Sequence, residues 1–263
     1  MAEQNVTGAP CEEFKEAVCM EAGRIYDSCS DKDCIEDLRI YFTAENQAIV
    51  DQAVSIKTKE AEVVAVFLDV EPVPFNQGFY SVDMTFYIRI GLDVYPVVGC
   101  LPTSVFGFSQ FCKKVILYGS EGKVKTFDST MDRCTCEPIS KPLGLPKAAV
   151  QVVDPIILSC TAVDVCGPVC DPGFSLPPCL EPIGGGCYNG VCVKKRISVS
   201  LGLFSIVWLQ RNVQLMVPTY DFCVPGESNP GGGEESPCDL FKKIKFPTAE
   251  FFPPRLDDLC QEE

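Results

Sequence analysis

The stretch "FYSVDMTFYIRIGLDVYP" (79–96) decides the fold. Its apolar residues recur at every second position, so Val82, Met84, Phe86, Ile88, Ile90, Leu92 and Val94 share one face of an extended chain. Asp83, Thr85, Tyr87, Arg89, Gly91 and Asp93 share the other. A helix would scatter the first set around its axis, whereas a strand gathers it on one side. A long strand with one face in a core is therefore expected here.

Strand signals continue on both sides. "EVVAVFLDVEPVPF" (62–75) is rich in β-branched and aromatic residues and closes on prolines. "VILYGSEGKVKTF" (115–127) predicts a hairpin turned at Gly119-Ser120-Glu121-Gly122. "AAVQVVDPIILSCTAVDV" (148–165) predicts a strand pair or one bent strand. "KRISVSLGLFSIVWLQRNVQLMVPTYDF" (195–222) predicts one or two more, central in a sheet because both faces are apolar in its middle. A weak echo links 62–96 with 148–218: a β-rich run, then a long strand ending in Val-x-Pro or Val-Pro. It suggests two related β modules.

The first fifth reads differently. "APCEEFKEAVCMEAG" (9–23) suggests a short helix stopped by Gly23. "SCSDKDCIEDLRIYF" (28–42) suggests another, capped by Ser30 with Asp33 three residues on. "TAENQAIVDQAVSI" (43–56) suggests a further helix or an extended arm. The expected class is mainly β, an antiparallel β-sandwich-like core with a short helical N-terminal arm and a cysteine-rich loop. The expected parts are a helical arm (1–56), a first β module (57–165), a cysteine-rich Gly/Pro loop (166–193), the remaining core strands (194–225), and a linker with a docking tail (226–263).

Composition narrows the chemistry. The 263 residues include 17 cysteines and no histidine. Every His-dependent triad or metal site is therefore excluded. A net charge of −14 is the wrong sign for a phosphate backbone, so nucleic-acid binding is not expected. The longest apolar run (197–210) is too short to cross a bilayer and ends at Arg211, so no membrane insertion is expected. The N-terminus has no basic segment leading into an apolar one, and release without a Sec signal peptide is the expectation.

Five cysteines crowd "CGPVCDPGFSLPPCLEPIGGGCYNGVC" (166–192) among prolines and glycines. No Cys-x-x-Cys occurs anywhere, which removes both the zinc-knuckle and the thioredoxin spacing. Cys166, Cys170, Cys187 and Cys192 remain as an alternative four-thiolate metal site. Cys134 and Cys136, one residue apart, lack the helix N-terminus that would activate a thiol, and a structural bridge is expected. "GSEGK" (119–123) lacks both the leading glycine and the following Ser/Thr of a phosphate loop. No catalytic or cofactor-binding constellation survives, so neither an enzyme nor a cofactor is expected.

The loop is expected to hold its shape by cross-links. Cys166, Cys170, Cys179, Cys187 and Cys192 then pair mostly with one another. Cys11, Cys19 and Cys260 lie in terminal segments and are the candidates for bonds between subunits, because an odd cysteine count leaves at least one thiol over.

"IYDSCSDKDCIEDLRIYF" (25–42), "FLDVEPVPFNQGFYSVDMTFYIRI" (67–90), "VILYGSEGKVKTF" and "VVDPI" resemble a family of uncharacterised cysteine-rich proteins of spore-forming, clostridia-type bacteria. The resemblance implies a spore coat or appendage setting, in which a leaderless protein reaches the outside when its mother cell lyses. It brings no catalytic residues. The expected function is a non-enzymatic, self-assembling subunit of a disulfide-stabilised filament or coat at the spore surface or outside the cell. The alternatives are a monomeric disulfide-rich binding module and a cytosolic four-thiolate metal protein.

Overall fold

The computed structural model describes residues 16–97, 101–122, 144–170, 174–188 and 191–219. In chain order these form β1 (Glu16–Arg39), α1 (Ala44–Asp51), β2 (Ser55–Pro72), β3 (Phe79–Tyr95), β4 (Thr103–Tyr118), β5 (Lys147–Cys170), α2 (Glu181–Gly184) and β6 (Cys192–Thr219). The strands make two antiparallel sheets of three, ordered β1-β6-β5 and β2-β3-β4. Gly23–Asn212 is one unit; Met1–Ala22 with Val213–Glu263 is another. In the latter, the described residues are the outer ends of β1 and β6, where Met20, Leu215 and Met216 are exposed.

β3 is central in its sheet and behaves as its alternation requires. The seven apolar side chains from Val82 to Val94 are each at most 1% exposed. Their burial contributes roughly 10–20 kcal/mol of transfer free energy before chain entropy is counted. The other sheet feeds the same apolar cluster through Ile197, Val199, Leu201, Leu203, Val207 and Leu209 of β6. β6 is the middle strand of that sheet, as its apolar centre requires. The two halves of the sequence echo fall as β2–β3 in one sheet and β5–β6 in the other.

The N-terminal helices expected at 9–23 and 28–42 are corrected where the chain is described: Glu16–Arg39 is a strand. The reason lies in its aspartates. Asp31 and Asp33, two apart, share one side of a strand, and both meet the Lys113 ammonium of β4, at 2.7 and 2.6 Å. On a helix they would point about 200° apart. Asp27 accepts the Tyr118 amide at 2.9 Å. Residues with the look of helix-start signals instead cover the edge of β4. At the other edge, Asp154 of β5 accepts the Val63 amide of β2 at 3.0 Å, beside a bulge at Val64. Of 43–56, expected as a further helix or an extended arm, Ala44–Asp51 forms helix α1 with Thr43 as its cap, and β2 begins at Ser55.

The chain changes sheets within two residues. The Ile40 amide donates to Ile197 of β6, while Tyr41 exchanges both backbone bonds with Phe108 of β4. This crossing needs Gly107: a Cβ there would lie 2.4 Å from Ile40 Cγ2 and 2.7 Å from the Tyr41 carbonyl oxygen. β4 begins at Thr103, well before the expected hairpin arm, and ends at Tyr118. Its expected return arm, 123–127, lies outside the described residues, as does the docking tail. Gly107→Ala is expected to cost about 1–3 kcal/mol in urea unfolding. Gly202→Ala, whose nearest new neighbour would be 3.9 Å away, is expected to change stability by less than about 1 kcal/mol.

Candidate functional site

The outer face of β2-β3-β4 carries an aromatic cluster that the alternation of β3 alone does not announce. Tyr87 lies opposite the core face, and Phe106 and Phe108 of β4 share its side. The described part of the cysteine-rich loop, 174–188, contributes Phe174, Leu176, Leu180 and Tyr188, all buried with Tyr87 and Phe108 in one cluster. Phe174 is its hub. It stacks on Tyr41 at 4.5 Å between centroids and 6° between planes, and meets the Tyr188 ring edge-on at 5.7 Å. The Arg39 guanidinium lies 4.9 Å over the far face of this column, on Tyr41.

The loop was expected to depend on cross-links for its shape, and that expectation is corrected for 174–188. Four apolar side chains spaced along it supply an anchor, and Gly184-Gly185-Gly186 does not abolish regular structure. Gly184 closes the single turn of α2, and Gly185 caps it at φ +71°. The Tyr188 hydroxyl donates to the Gly184 carbonyl at 2.5 Å, satisfying an end group of that turn. Burial pushes the Tyr188 phenol up to about 12. Burial also raises Tyr87, and the Cys112 and Cys179 thiols raise it further.

Beside the cluster is a cavity of about 340 Å³ lined by Phe174, Ser175, Leu176, Glu181, Cys187 and Tyr188. Its polar groups are the Glu181 carboxylate, the Ser175 and Tyr188 hydroxyls and the Cys187 thiol, set among aromatic and apolar walls. A second groove, about 560 Å³, runs along the outer face of β1-β6-β5 beside Val153, Phe204 and Ile206. These three side chains are exposed.

The strands sort the thiols. Cys19 and Cys34 on β1, Cys112 on β4, and Cys179 and Cys187 in the loop are exposed thiols. Cys29 and Cys160 instead pack against the core. Burial raises both, and the Asp31 carboxylate beside Cys29 raises it further. Cys192 is exposed and stands opposite Cys170 in backbone register. The side chains of Cys166 and Cys170 lie outside the description, as do Cys11, Cys134, Cys136 and Cys260. Among the described residues no group of three or more cysteines, aspartates or glutamates is placed to hold a metal ion, and no helix is long and apolar enough to cross a membrane.

Cys34 and Cys112 were missing from the sequence candidates. The signal for Cys112 is present in "FCKKVILY" (111–118), where Phe111, Val115 and Leu117 face the core and Cys112 falls between them. The aromatic cluster had no comparable signal, because its members come from four distant segments. No family model, curated protein or solved structure matches the chain.

Spectrophotometric titration should show one tyrosine ionising near pH 12 that Tyr188→Phe removes. A phenol raised in the folded state stabilises fully below its unfolded value of about 10 and loses that contribution as pH climbs to about 12. Wild-type stability is therefore expected to fall across pH 10–12 more steeply than that of Tyr188→Phe.

Proposed function

We propose that the chain is a structural subunit that assembles with copies of itself into a disulfide-stabilised filament or coat layer, with no enzymatic activity. Outward-facing thiols on separate elements carry this reading. Cys19 and Cys34 sit on β1, Cys112 on β4, and Cys179 and Cys187 in the loop, all exposed. A monomer stabilised only by internal bridges has no use for thiols turned to solvent. Subunits joined covalently need them there.

The fold supports the reading in two further ways. Two sheets feeding one core fit a face-to-face β-sandwich, a shape that stacks well. The exposed side chains of Val153, Phe204 and Ile206, in a groove that Asp31 also lines and with the Lys32 ammonium over the Phe204 ring, offer a chain of net −14 apolar contact area through which to meet a copy of itself. Cys11, Cys19 and Cys260 remain the proposed cross-linking positions in the terminal segments, with Cys34 added. Assembly at a spore surface or outside the cell follows from the family resemblance. A monomeric binding module is the second reading, and the aromatic-walled cavity beside Glu181 favours it.

Denaturing electrophoresis of native-source material separates the two. The polymer reading expects a ladder without reductant that collapses to one band at 28.8 kDa with it. A single monomer band in both lanes would overturn that reading and leave the binding module.

A further inference from the structure

The pairing of β5 with β6 ends on two cysteines in register. It is broken once near that end: Asp164 stands opposite Lys195, residues 165–168 then stand against Lys194 alone, and register resumes as Val169↔Val193 and Cys170↔Cys192. Cys166 falls inside this bulge, out of register, so Cys170 is the cysteine of β5 that stands opposite Cys192. Directly opposite residues of an antiparallel pair share one side of the sheet, with Cα atoms ~4.5–5.5 Å apart. A disulfide spans ~4.4–6.8 Å between Cα atoms, so this register meets its demand without backbone movement. The β6 side of the pair is held still. Asp51 of α1 accepts the Lys194 and Lys195 amides at 3.2 and 3.0 Å, Gln47 donates to the Lys195 carbonyl at 2.9 Å, and Val193 is buried. Cys192 itself is exposed, within reach of an oxidant in solution.

We infer that Cys170 and Cys192 form an internal disulfide that closes the base of the cysteine-rich segment when the protein meets oxidising conditions. Phe174, Leu176, Leu180 and Tyr188 seat the middle of that segment by apolar packing, and the bond ties together the two strands from which it springs. Neither cysteine is among those proposed to join subunits, so the bond forms in a monomer and in a polymer alike. It also takes two members out of the four-thiolate set with Cys166 and Cys187. The chemistry needs only a small-molecule disulfide such as oxidised glutathione. The Cys192 thiolate attacks it, forming a mixed disulfide and releasing one glutathione thiolate. The Cys170 thiolate then attacks the Cys192 sulfur of that mixed disulfide and expels the other. Two protein thiols are oxidised, one glutathione disulfide is reduced, and both released thiolates take up the protons lost.

The test uses the full chain, purified with reductant and then held dilute in a glutathione redox buffer. Free thiols are alkylated, and the monomer band is digested with chymotrypsin, whose cuts after Phe174 and Tyr188 separate Cys170 from Cys192. Mass spectrometry is expected to find the two peptides linked in the wild type and in Cys166→Ser, and unlinked in Cys170→Ser. The oxidised wild type should unfold roughly 5–10 °C above the oxidised Cys192→Ser variant, a shift typical of a closed loop of this length in a chain of this size. Cys170→Ser should lose the same amount, and the double variant no more than either single one. Cys192 is exposed, so its substitution leaves folding intact and the comparison does not hang on Cys170→Ser alone. Finding Cys192 linked to Cys166, Cys179 or Cys187, or finding additive losses in the double variant, overturns the inference. A monomer whose Cys170 and Cys192 are both alkylated also overturns it.

Discussion

One row of side chains holds the described structure together. The core face of β3, from Val82 to Val94, is the apolar surface on which β2, β4 and the opposite sheet depend. It runs the length of the strand without a polar interruption, so the register of β3 admits no slip: moving it by one residue would drive Asp83, Arg89 and Asp93 into the core. Both neighbours inherit that register. Pairing along β2–β3 and β3–β4 is continuous apart from bulges on the β2 side.

The crossing at Ile40 and Tyr41 follows from this fixed core. Ile40 bonds to β6, Tyr41 to β4, and Ile40 and Phe42 are both buried in the core. That leaves Tyr41 on the opposite side, under Arg39 and against Phe174. A single strand-to-strand step thus sets both the closure of the core and the seat of the cysteine-rich segment. The same alternation divides the thiols, turning Cys29 and Cys160 inward and Cys34 and Cys112 outward. Arg211 fastens a third point, donating to the Gly119 and Ser120 carbonyls and to the Tyr80 hydroxyl, so that the end of β4 is held by β6.

What was legible in the sequence was what period two records. β2, β3 and the central position of β6 could be read because their apolar residues face a core on one or both sides. β1 could not, because its partners are distant: Asp27, Asp31 and Asp33 answer to Lys113 and Tyr118, more than seventy residues away. Local rules for helix starts read Ser30 as a cap with Asp33 three residues on. The first half of β4 was hidden by Gly107 and by polar residues that the alternation alone does not explain, and the glycine makes sense only once Ile40 lies over it. Prolines, glycines and cysteines drew attention to 166–192, yet Phe174, Leu176, Leu180 and Tyr188 are what hold its described part. The site is a meeting of segments, and its signal is spread too thinly along the chain to be read before folding.

The division of thiols by strand face underlies the assembly proposal, and it can be measured directly. Fully reduced, folded protein is treated with a small alkylating reagent, samples are quenched over time, and labelling is read cysteine by cysteine by mass spectrometry. Cys34, Cys112, Cys179 and Cys187 are expected to label first, with the half-buried Cys29 and Cys160, whose thiols burial raises, labelling more slowly. Early labelling of Cys29 and Cys160, or protection of Cys34 and Cys112, would contradict the register of β1, β4 and β5 and remove the basis for cross-linking through their outer faces.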